Sequence, residues 1–357
     1  MMIMKQMLYI SFILFALACD KRGAGPYLPT PKAPEATGPA KFQNPLLNTA
    51  PDPWVAQRGD FYYYLQTLGN RIEIRKTAKM SELSSAASKV VFTAPSAGPN
   101  SRDVWAPELF FLQGKWYIYY TASNGQDVNH RMFVLENANE DPTTDNWVDK
   151  GQLITQPTDQ WAIDGSIFEH GSELFFIWSG RPGASSGNLT QNIYISKMSN
   201  PFTLTGETVM IAEPEYDWER KGFRVNEGPE ILKNKAGDTF LIYSASYCGT
   251  DDYALGMMKL TNGANPLLMS SWTKHPTPVF KQAPTAYGAG HNGFFKSKDG
   301  TEDWIIYHAN TESHPNNDGC GNVRSTRMQK FSWNADGTPN FGTPVAVGAF
   351  LDVPAGE

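Results

Sequence analysis

Five short segments of this chain occur in order at similar spacing, and each is followed by a strand rich in aromatic residues. They begin at Asp52, Ala106, Asp164, Glu227 and His291, which are separated by intervals of 54, 58, 63 and 64 residues. Repeats of this period that contain short alternating strands are typical of β-propeller blades. Because the first strand of every blade lines the central axis, the spacing predicts a five-bladed propeller in which these equivalent positions converge.

The composition favours an all-β fold made of one large domain. Aromatic residues make up 13% of the chain and charged residues 18%, with 31 Gly and 25 Pro as turn signals. After residue 40 we find no long amphipathic helical stripe, so residues 41–357 are predicted to form the propeller. The net charge of −6 and the lack of a basic cluster argue against a nucleic-acid partner.

The N-terminus has the pattern of an export signal. Lys5 precedes an apolar stretch from Met7 to Ala18, which is too short to span a bilayer. We interpret residues 1–18 as a signal peptide, Cys19 as a lipid-anchored cysteine and residues 19–40 as a flexible Pro/Gly-rich tether. The chain is therefore predicted to be an extracytoplasmic bacterial lipoprotein that meets the membrane only through its anchor. An ordinary cleaved signal that happens to contain a cysteine is the alternative.

Two further cysteines, Cys248 and Cys320, lie in turn-rich sequence near strands of the fourth and fifth repeats. In an oxidising compartment such cysteines pair, so a disulfide is one interpretation. Two free buried thiols are the other.

The acidic residues at the repeated positions suggest the chemistry. Cleavage of a glycosidic bond needs one protonated carboxyl group for the leaving oxygen and one ionised carboxylate to activate water or attack carbon. A third carboxylate near the acid raises the pKa of that acid by like-charge repulsion. Asp52, Asp164 and Glu227 supply this number of groups.

The segments around these acids resemble the glycoside hydrolases of family 43, five-bladed propellers that act on arabinose- and xylose-containing polymers. The resemblance covers residues from about 44 to 350 and rests on five short motifs in blade order. The motifs are Asp52-Pro-Trp-Val, Val104-Trp-Ala-Pro-Glu-Leu, Trp161-Ala-Ile-Asp-Gly-Ser-Ile-Phe, Asn226-Glu-Gly-Pro-Glu-Ile and Gly290-His-Asn-Gly-Phe-Phe. One departure is Asp164-Gly165, where the family often has Asp-Pro.

The resemblance implies a role for each acid. Asp52 would be the general base, Glu227 the general acid and Asp164 the group that tunes the pKa of the acid, in a reaction that inverts the anomeric centre. We expect Glu230 to face the opposite side of the strand from Glu227. Glu108 lies two residues past the repeated position, and we expect it to make a structural contact.

Further residues are candidates for binding. Trp105 would pack on a sugar ring, or else lie in the core between blades. Arg324 would bind sugar hydroxyl groups, whereas Arg327 would face away, although either arginine could instead form a surface or inter-blade salt bridge. The resemblance implies that His291 holds a Ca²⁺ or Na⁺ ion on the propeller axis, largely through waters; sequence alone favours a hydrogen-bonded core histidine. No organic cofactor is expected.

The segment from Cys320 to Trp333 is similar to the arabinofuranosidase branch of the family. We therefore predict a monomeric, exo-acting α-L-arabinofuranosidase that removes arabinose from arabinan or arabinoxylan. β-D-Xylosidase and endo-arabinanase activities are the alternatives within the family. A catalytically silent sugar-binding propeller is the alternative from another class.

Overall fold

The computed structural model describes residues 40–183 and 188–357. Within these ranges the chain forms β-strands and four 3₁₀ helices: Met80–Ser85, Asp127–Asn129, Asp217–Glu219 and Met269–Ser271. The predicted signal peptide, Cys19 and nearly all of the predicted tether lie outside the described residues. No helix in the described ranges is long and apolar enough to cross a membrane.

Twenty of the strands form five antiparallel sheets of four strands, with the strands of each sheet in chain order. Blade 1 contains β2 (Trp54–Arg58), β3 (Phe61–Leu65), β4 (Arg71–Thr77) and β5 (Ser88–Thr93). Blade 2 contains β6 (Arg102–Leu112), β7 (Lys115–Ser123), β8 (Arg131–Asn137) and β9 (Val148–Gln152). Blade 3 contains β10 (Ala162–His170), β11 (Glu173–Gly180), β12 (Asn192–Asn200) and β13 (Thr203–Ala212).

The last two blades follow the same order. Blade 4 contains β14 (Asn226–Lys233), β15 (Thr239–Ala245), β16 (Ala254–Leu260) and β17 (Trp272–Lys274). Blade 5 contains β18 (Tyr287–Lys296), β19 (Asp303–Asn310), β20 (Ser325–Trp333) and β21 (Pro339–Asn340). The all-β, five-bladed propeller predicted from the repeat is therefore confirmed.

The ring closes between the two ends of the described chain. The first strand of each blade contacts the first strand of the next, and β18 of blade 5 returns to β2 of blade 1. Outside the blades, β1 (Lys41–Gln43) pairs antiparallel with β22 (Phe350–Asp352). Asn44 adds hydrogen bonds of 2.8 and 3.0 Å to the backbone of Met328 in blade 5. These contacts join the two ends of the described chain to the last blade.

The aromatic-rich second strands fill the spaces between blades. Tyr119 of β7 packs with Phe176 and Trp178 of β11 in the core between blades 2 and 3. Along β7 nearly every side chain is buried, because both faces of the sheet are covered by neighbouring blades. Burial of aromatic area of this kind is favourable and holds neighbouring blades together.

A β-bulge interrupts the first strand of blades 2 to 5 near the axis. In each of these blades a step of three residues along the first strand pairs with a step of two along the second strand. In blade 4, for example, Glu227 pairs with Ser244 and Glu230 pairs with Ile242. The bulge residue adopts a positive φ, as does Asp52, two residues before β2 in blade 1. These residues are Asp52 (56°), Ala106 (41°), Asp164 (52°), Gly228 (53°) and His291 (48°).

Candidate active site

The five positive-φ residues occupy equivalent positions in the five blades, and their backbone N–H groups form the same kind of hydrogen bond. Each N–H donates to a side chain supplied by the preceding blade. The five bonds are Asp52 to His308 Nδ1 (3.1 Å), Ala106 to Thr67 Oγ1 (2.7 Å), Asp164 to Thr121 Oγ1 (3.1 Å), Gly228 to Asp164 Oδ2 (3.2 Å) and His291 to Ser244 Oγ (2.8 Å). Left-handed backbone is unfavourable for residues other than glycine, so these bonds help to hold the strained positions in place.

This repeat corrects our alignment in blade 4. The residue equivalent to Asp52, Asp164 and His291 is Gly228, and Glu227 lies one position earlier. A side chain at Gly228 would be crowded, because an added Cβ would lie 3.3 Å from His291 Nδ1. The general-acid candidate therefore reaches the site from the last paired position before the bulge.

The bulge also corrects the expected orientation of Glu230. Glu227 pairs with Ser244 and Glu230 pairs with Ile242, two residues apart on an unbroken strand, so both glutamates point to the same face. Glu230 lies on the same face of the strand as Glu227, but further along the strand and outside the cavity. Glu108 is buried, 2% exposed, and burial raises the pKa of both Glu108 and Glu230, which fits the structural role expected for Glu108.

Three of the positive-φ residues, Asp52, Asp164 and His291, and the loops near them line a cavity of about 650 Å³. All six residues that the sequence suggested for catalysis, binding or metal coordination line it: Asp52, Trp105, Asp164, Glu227, His291 and Arg324. The residues are brought together from all five blades because the first strands converge on the axis. Glu108 and Glu230 do not line this cavity.

Asp52 is held as a carboxylate. Thr67 Oγ1 donates to Oδ2 at 2.7 Å, and Arg324 Nη1 donates to Oδ1 at 2.7 Å. Burial opposes ionisation, but the Arg324 guanidinium outweighs it, and the pKa of Asp52 lies well below its usual range. A carboxylate oxygen can accept more than one hydrogen bond, so Asp52 retains capacity to accept a proton from water.

Glu227 has the opposite protonation preference. Burial raises its pKa to about 7, and the nearby charge of Asp52 adds to this, while Tyr253 and Arg324 oppose it. Tyr253 donates its hydroxyl hydrogen to Oε1 of Glu227 at 2.9 Å. Because Oε1 accepts this bond, Oε2 is the oxygen left free to present the proton of the acid to a substrate. Asp52 and Glu227 thus differ in charge within one cavity, which is the arrangement that acid–base cleavage requires.

The pKa of Asp164 depends on the charges of both Glu227 and Asp52. This pKa is raised well above the usual value by burial and then by the charges of Glu227, Asp52 and Glu108. Three carboxyl groups face one guanidinium, so the site keeps a proton among Asp164 and Glu227 while Asp52 is ionised. The N–H of Gly228 donates to Oδ2 of Asp164 and links this carboxyl group to the backbone beside Glu227.

Glycine at position 165 has a packing reason. A Cβ added there would lie 2.1 Å from Phe176 Cζ and 2.8 Å from Met132 Cε. Proline would therefore clash at this bulge. The departure from the family pattern follows from local packing, and it leaves the Asp164 carboxyl group in the cavity.

A buried stack of two rings connects the residue that binds the base with the residue that binds the acid. His308 accepts the Asp52 N–H, and its imidazole stacks on Tyr253 with ring centroids 5.7 Å apart and an interplanar angle of 9°. Both side chains are 0% exposed. Gly290 makes room for the stack, because a Cβ there would lie 2.4 Å from Tyr253 Cε1. Burial lowers the pKa of His308 to about 3, so the ring is neutral and its Nδ1 can accept.

Aromatic and charged residues of blades 2 and 3 form one wall of the cavity. Trp105 stacks on His130 with centroids 4.4 Å apart, and the Arg181 guanidinium lies 3.9 Å from the Trp161 ring centroid. Asp127 binds Arg181 through both terminal nitrogens. Trp105 therefore lies at the cavity surface with its ring fixed from behind, as sugar contact requires.

The two arginines separate as the sequence suggested. Arg324 enters the cavity, where it binds the Asp52 carboxylate. Arg327 is 0% exposed and donates to Thr285 O at 2.5 Å and to Thr311 Oγ1 at 3.0 Å. In the structure Arg324 forms an ion pair with Asp52, the candidate base. The sequence did not indicate this contact.

The surroundings of His291 fit a cation only in hydrated form. Its Nδ1 lies 3.5 Å from Asp52 Oδ1, and that oxygen already accepts from Arg324. Residues 40–183 and 188–357 contain no group of three or more His, Cys, Asp or Glu side chains arranged to hold a metal ion. Since Ca²⁺ takes roughly six to eight oxygen ligands, most of them would have to be water.

A disulfide borders the cavity. Cys248 and Cys320 are bonded, with Cα atoms 5.2 Å apart, which confirms the first interpretation of these cysteines. Both residues line the cavity. The bond joins the loop after β15 to the loop that precedes β20 and carries Arg324.

Several residues of the site were missed by the sequence analysis. The most important are Thr67, Tyr253 and His308, which bind the acid or the base directly. Thr67 and Tyr253 lie in loops with no repeated motif. His308 lies in β19, an aromatic-rich strand that the sequence did show, but nothing in the pattern connected it with Asp52.

A five-bladed propeller with an ionised carboxylate, a protonated carboxyl group and a carbohydrate-sized cavity on its axis defines a glycoside hydrolase. The sequence profile of the Glycosyl hydrolases family 43 matches residues 42–339. The chain belongs to this family.

Individual relatives agree. An "Extracellular exo-alpha-(1->5)-L-arabinofuranosidase" of Streptomyces avermitilis is 38% identical over 344 residues, covering 94% of this chain and 69% of that protein. A protein of the same name from Streptomyces chartreusis is 38% identical over 282 residues, covering 77% and 84%. The crystal structure of an alpha-L-arabinofuranosidase from Lactobacillus brevis has a TM-score of 0.80 and 38% identity, covering 86% of this chain and 98% of that one.

Proposed function

We propose that this protein is an exo-acting α-L-arabinofuranosidase that removes arabinose from arabinan or arabinoxylan with inversion at the anomeric carbon. The observation that carries the proposal is the opposite protonation of Asp52 and Glu227 in one cavity. The names of the relatives at 38% identity support arabinofuranose as the sugar that is released.

In this mechanism Asp52 accepts a proton from the attacking water, and Glu227 gives its proton to the leaving oxygen. Arg324 and Thr67 hold the Asp52 carboxylate, while Tyr253 binds Oε1 of Glu227 and leaves Oε2 free to present the proton. Inversion follows because water attacks directly and no covalent bond to the enzyme forms. Asp164 shares the proton of the site with Glu227, and whenever Asp164 is ionised its charge raises the pKa of Glu227.

The decisive experiment follows the released sugar by NMR. An α-L-arabinofuranoside should release the β-anomer first, and early release of the α-anomer would overturn the assigned roles. Glu227→Gln should slow natural arabinosides by about 10²- to 10⁴-fold. It should affect nitrophenyl arabinofuranoside much less, because that leaving group needs less protonation.

A substrate panel separates the alternatives within the family. Nitrophenyl arabinofuranoside and nitrophenyl xyloside distinguish arabinofuranosidase from β-D-xylosidase activity. Debranched arabinan distinguishes the release of single arabinose units from the endo cleavage of an arabinanase. Release of xylose, or of oligosaccharides first, would replace the proposal by the corresponding alternative.

We propose that a Ca²⁺ or Na⁺ ion binds near His291, held mostly by water, and tunes the charge of the site. The support is the His291 imidazole in the cavity and its closeness to the Asp52 carboxylate. Elemental analysis of the purified protein should find such an ion, and His291→Ala should release it. An ion-free protein whose activity is insensitive to chelator would leave His291 with a structural role.

We also propose an extracytoplasmic, monomeric lipoprotein anchored through Cys19. The support is the apolar N-terminal stretch ending at this cysteine, and two relatives carry "Extracellular" in their names. Cys19→Ala should convert a detergent-partitioning, palmitate-labelled protein into a freely extractable one with the same activity. Wild-type protein without lipid would leave an ordinary cleaved signal.

A further inference from the structure

The position of the leaving group follows from the ring of blades. The first strands contact one another in the order of blades 1, 2, 3, 4, 5 and back to 1. In a ring of five, the junction of blades 3 and 4 lies opposite blade 1, which carries Asp52. The base attacks from one side through water and the acid stands on the other, so the leaving sugar extends toward this junction.

The junction is marked by a short backbone bridge close to the acid. Gln191 of blade 3 pairs with Val225, two residues before Glu227. Gln191 lines the cavity here, and so does Tyr247 from the loop after β15 of blade 4. The cavity wall on the leaving-group side is therefore partly aromatic.

Beside Tyr247 lies an aromatic side chain that is open to solvent. Phe223 is 48% exposed, and its ring packs edge-on against Tyr247 with centroids 4.9 Å apart and an interplanar angle of 88°. Isolated exposed hydrophobic residues are common and carry no meaning alone. Phe223 differs because its partner forms part of the cavity wall next to the general acid.

The loop that carries Phe223 is held firmly. The N–H of Tyr247 donates to Lys221 O at 2.9 Å, and the N–H of Lys221 donates to Ser246 Oγ at 2.9 Å. Gly222 has a φ of 74°, and a Cβ there would lie 2.9 Å from Tyr247 Cβ. The two segments are in such close contact that the aromatic pair is preorganised, and binding a ligand costs little ordering of side chains.

On the other side of the junction the guanidinium of Arg181 is already engaged. Asp127 binds its terminal nitrogens and the Trp161 ring covers its face. This side offers a fixed wall, whereas the blade 4 side offers an exposed apolar ring. Of the two sides, the aromatic one suits the apolar C–H face of a sugar ring.

We propose that Tyr247 and Phe223 form the binding surface for the sugar that the cleaved arabinose leaves behind. The ligand is the pentose unit of the arabinan or xylan chain attached to the scissile oxygen, and it stacks against Phe223. This inference rests on the proposed function, because it takes Glu227 as the acid. Phe223 is then a specificity-determining residue that favours polymer-linked arabinose over small arabinosides.

The test compares two substrates that differ only beyond the scissile bond. α-1,5-Linked arabinobiose presents a sugar to Phe223, and methyl α-L-arabinofuranoside does not. Phe223→Ala should lower the ratio of kcat/KM for arabinobiose to that for the methyl glycoside by about threefold to tenfold. The loss should lie mainly in KM. Phe223→Leu, which keeps apolar bulk without a flat face, should give a smaller loss.

Phe61→Ala is the matched control. Phe61 is 39% exposed and lines a different cavity with Arg58 and Asp60, so the ratio should not change. An unchanged ratio in folded Phe223→Ala, with wild type active on both arabinosides, would overturn this inference and leave the proposed function intact. Wild type that hydrolyses neither arabinoside would overturn the proposed function and the inference with it.

Discussion

Two groups of buried carboxyl groups lie along the first strands, and they differ in what surrounds them. The cavity group is Asp52, Asp164 and Glu227, whose exposed fractions are 7%, 5% and 8%. The lower pair is Glu108 and Glu230, at 2% and 4%. Burial is therefore similar, and burial alone does not make a carboxyl group catalytic.

The difference lies in the partners. The cavity group has the guanidinium of Arg324 on one member, the hydroxyl of Tyr253 on another, and open space between them. The lower pair has no ion-pair partner among the described residues and takes only a 3.4 Å bond from Ser166 Oγ to Glu230 Oε2. Asymmetric partners separate the pKa values of the first group, whereas burial raises both pKa values in the pair.

The largest expected effect is the loss of the base. Asp52→Asn should lower kcat by about 10²- to 10⁴-fold on every substrate, because no group remains to accept the proton of water. Steady-state kinetics with nitrophenyl arabinofuranoside measures this. The matched acid-to-amide change in the lower pair, Glu108→Gln, should retain most activity. Equal losses in the two variants would break the comparison.

A second prediction concerns the pH dependence of the acid. Asp164→Asn removes the charge that Asp164 carries when it is ionised, so Glu227 ionises at lower pH and the basic limb of the kcat/KM profile shifts to lower pH. The amide oxygen can still accept the Gly228 N–H, so the backbone should hold. A wild-type-like basic limb would show that Asp164 carries no charge when Glu227 is protonated.

Tyr253→Phe should move the same limb in the opposite direction. The hydroxyl bond to Oε1 favours the ionised form of Glu227, and its loss raises the pKa of the acid. The ring stack on His308 is retained, so kcat should fall only by about threefold to tenfold. The Glu227 titration faces charges from Asp52, Asp164 and Arg324, which the variant leaves in place. A fall in kcat with an unmoved limb would indicate a purely structural role.

Glu108→Gln in the lower pair should have the smallest effect on activity and a clear effect on the pH dependence of stability. Burial raises the pKa of Glu108 to about 8, so the folded protein keeps a proton that the unfolded chain releases above about pH 4.5. The free energy of unfolding of wild type should therefore fall as pH rises from about 5 to 8. Glu108→Gln should weaken this fall, and denaturant unfolding at the two pH values measures it. Parallel pH dependence in both proteins would contradict the buried-acid assignment.

Much of this site was predictable from sequence because it is periodic. The interval of the five segments, and the aromatic strands after them, led to the propeller and to the convergence of Asp52, Asp164 and His291 on one axis. The same repeat placed Glu227 on the axis and the family motifs made it the general acid, although the repeated position in the structure is Gly228. A β-bulge adds a residue without a sequence signal of its own, which is why the alignment was off by one and the side of Glu230 was wrong.

The sequence by itself determined the number of blades, the acids near the axis and the family. Only the tertiary structure decided which carboxyl group is ionised, because that depends on Arg324, Thr67 and Tyr253, which come from three different loops. It also decided that His308 holds the backbone of Asp52. The physical reason is that periodicity encodes strands and their order, whereas a pKa depends on burial and on charges that only the closed ring brings within a few ångströms.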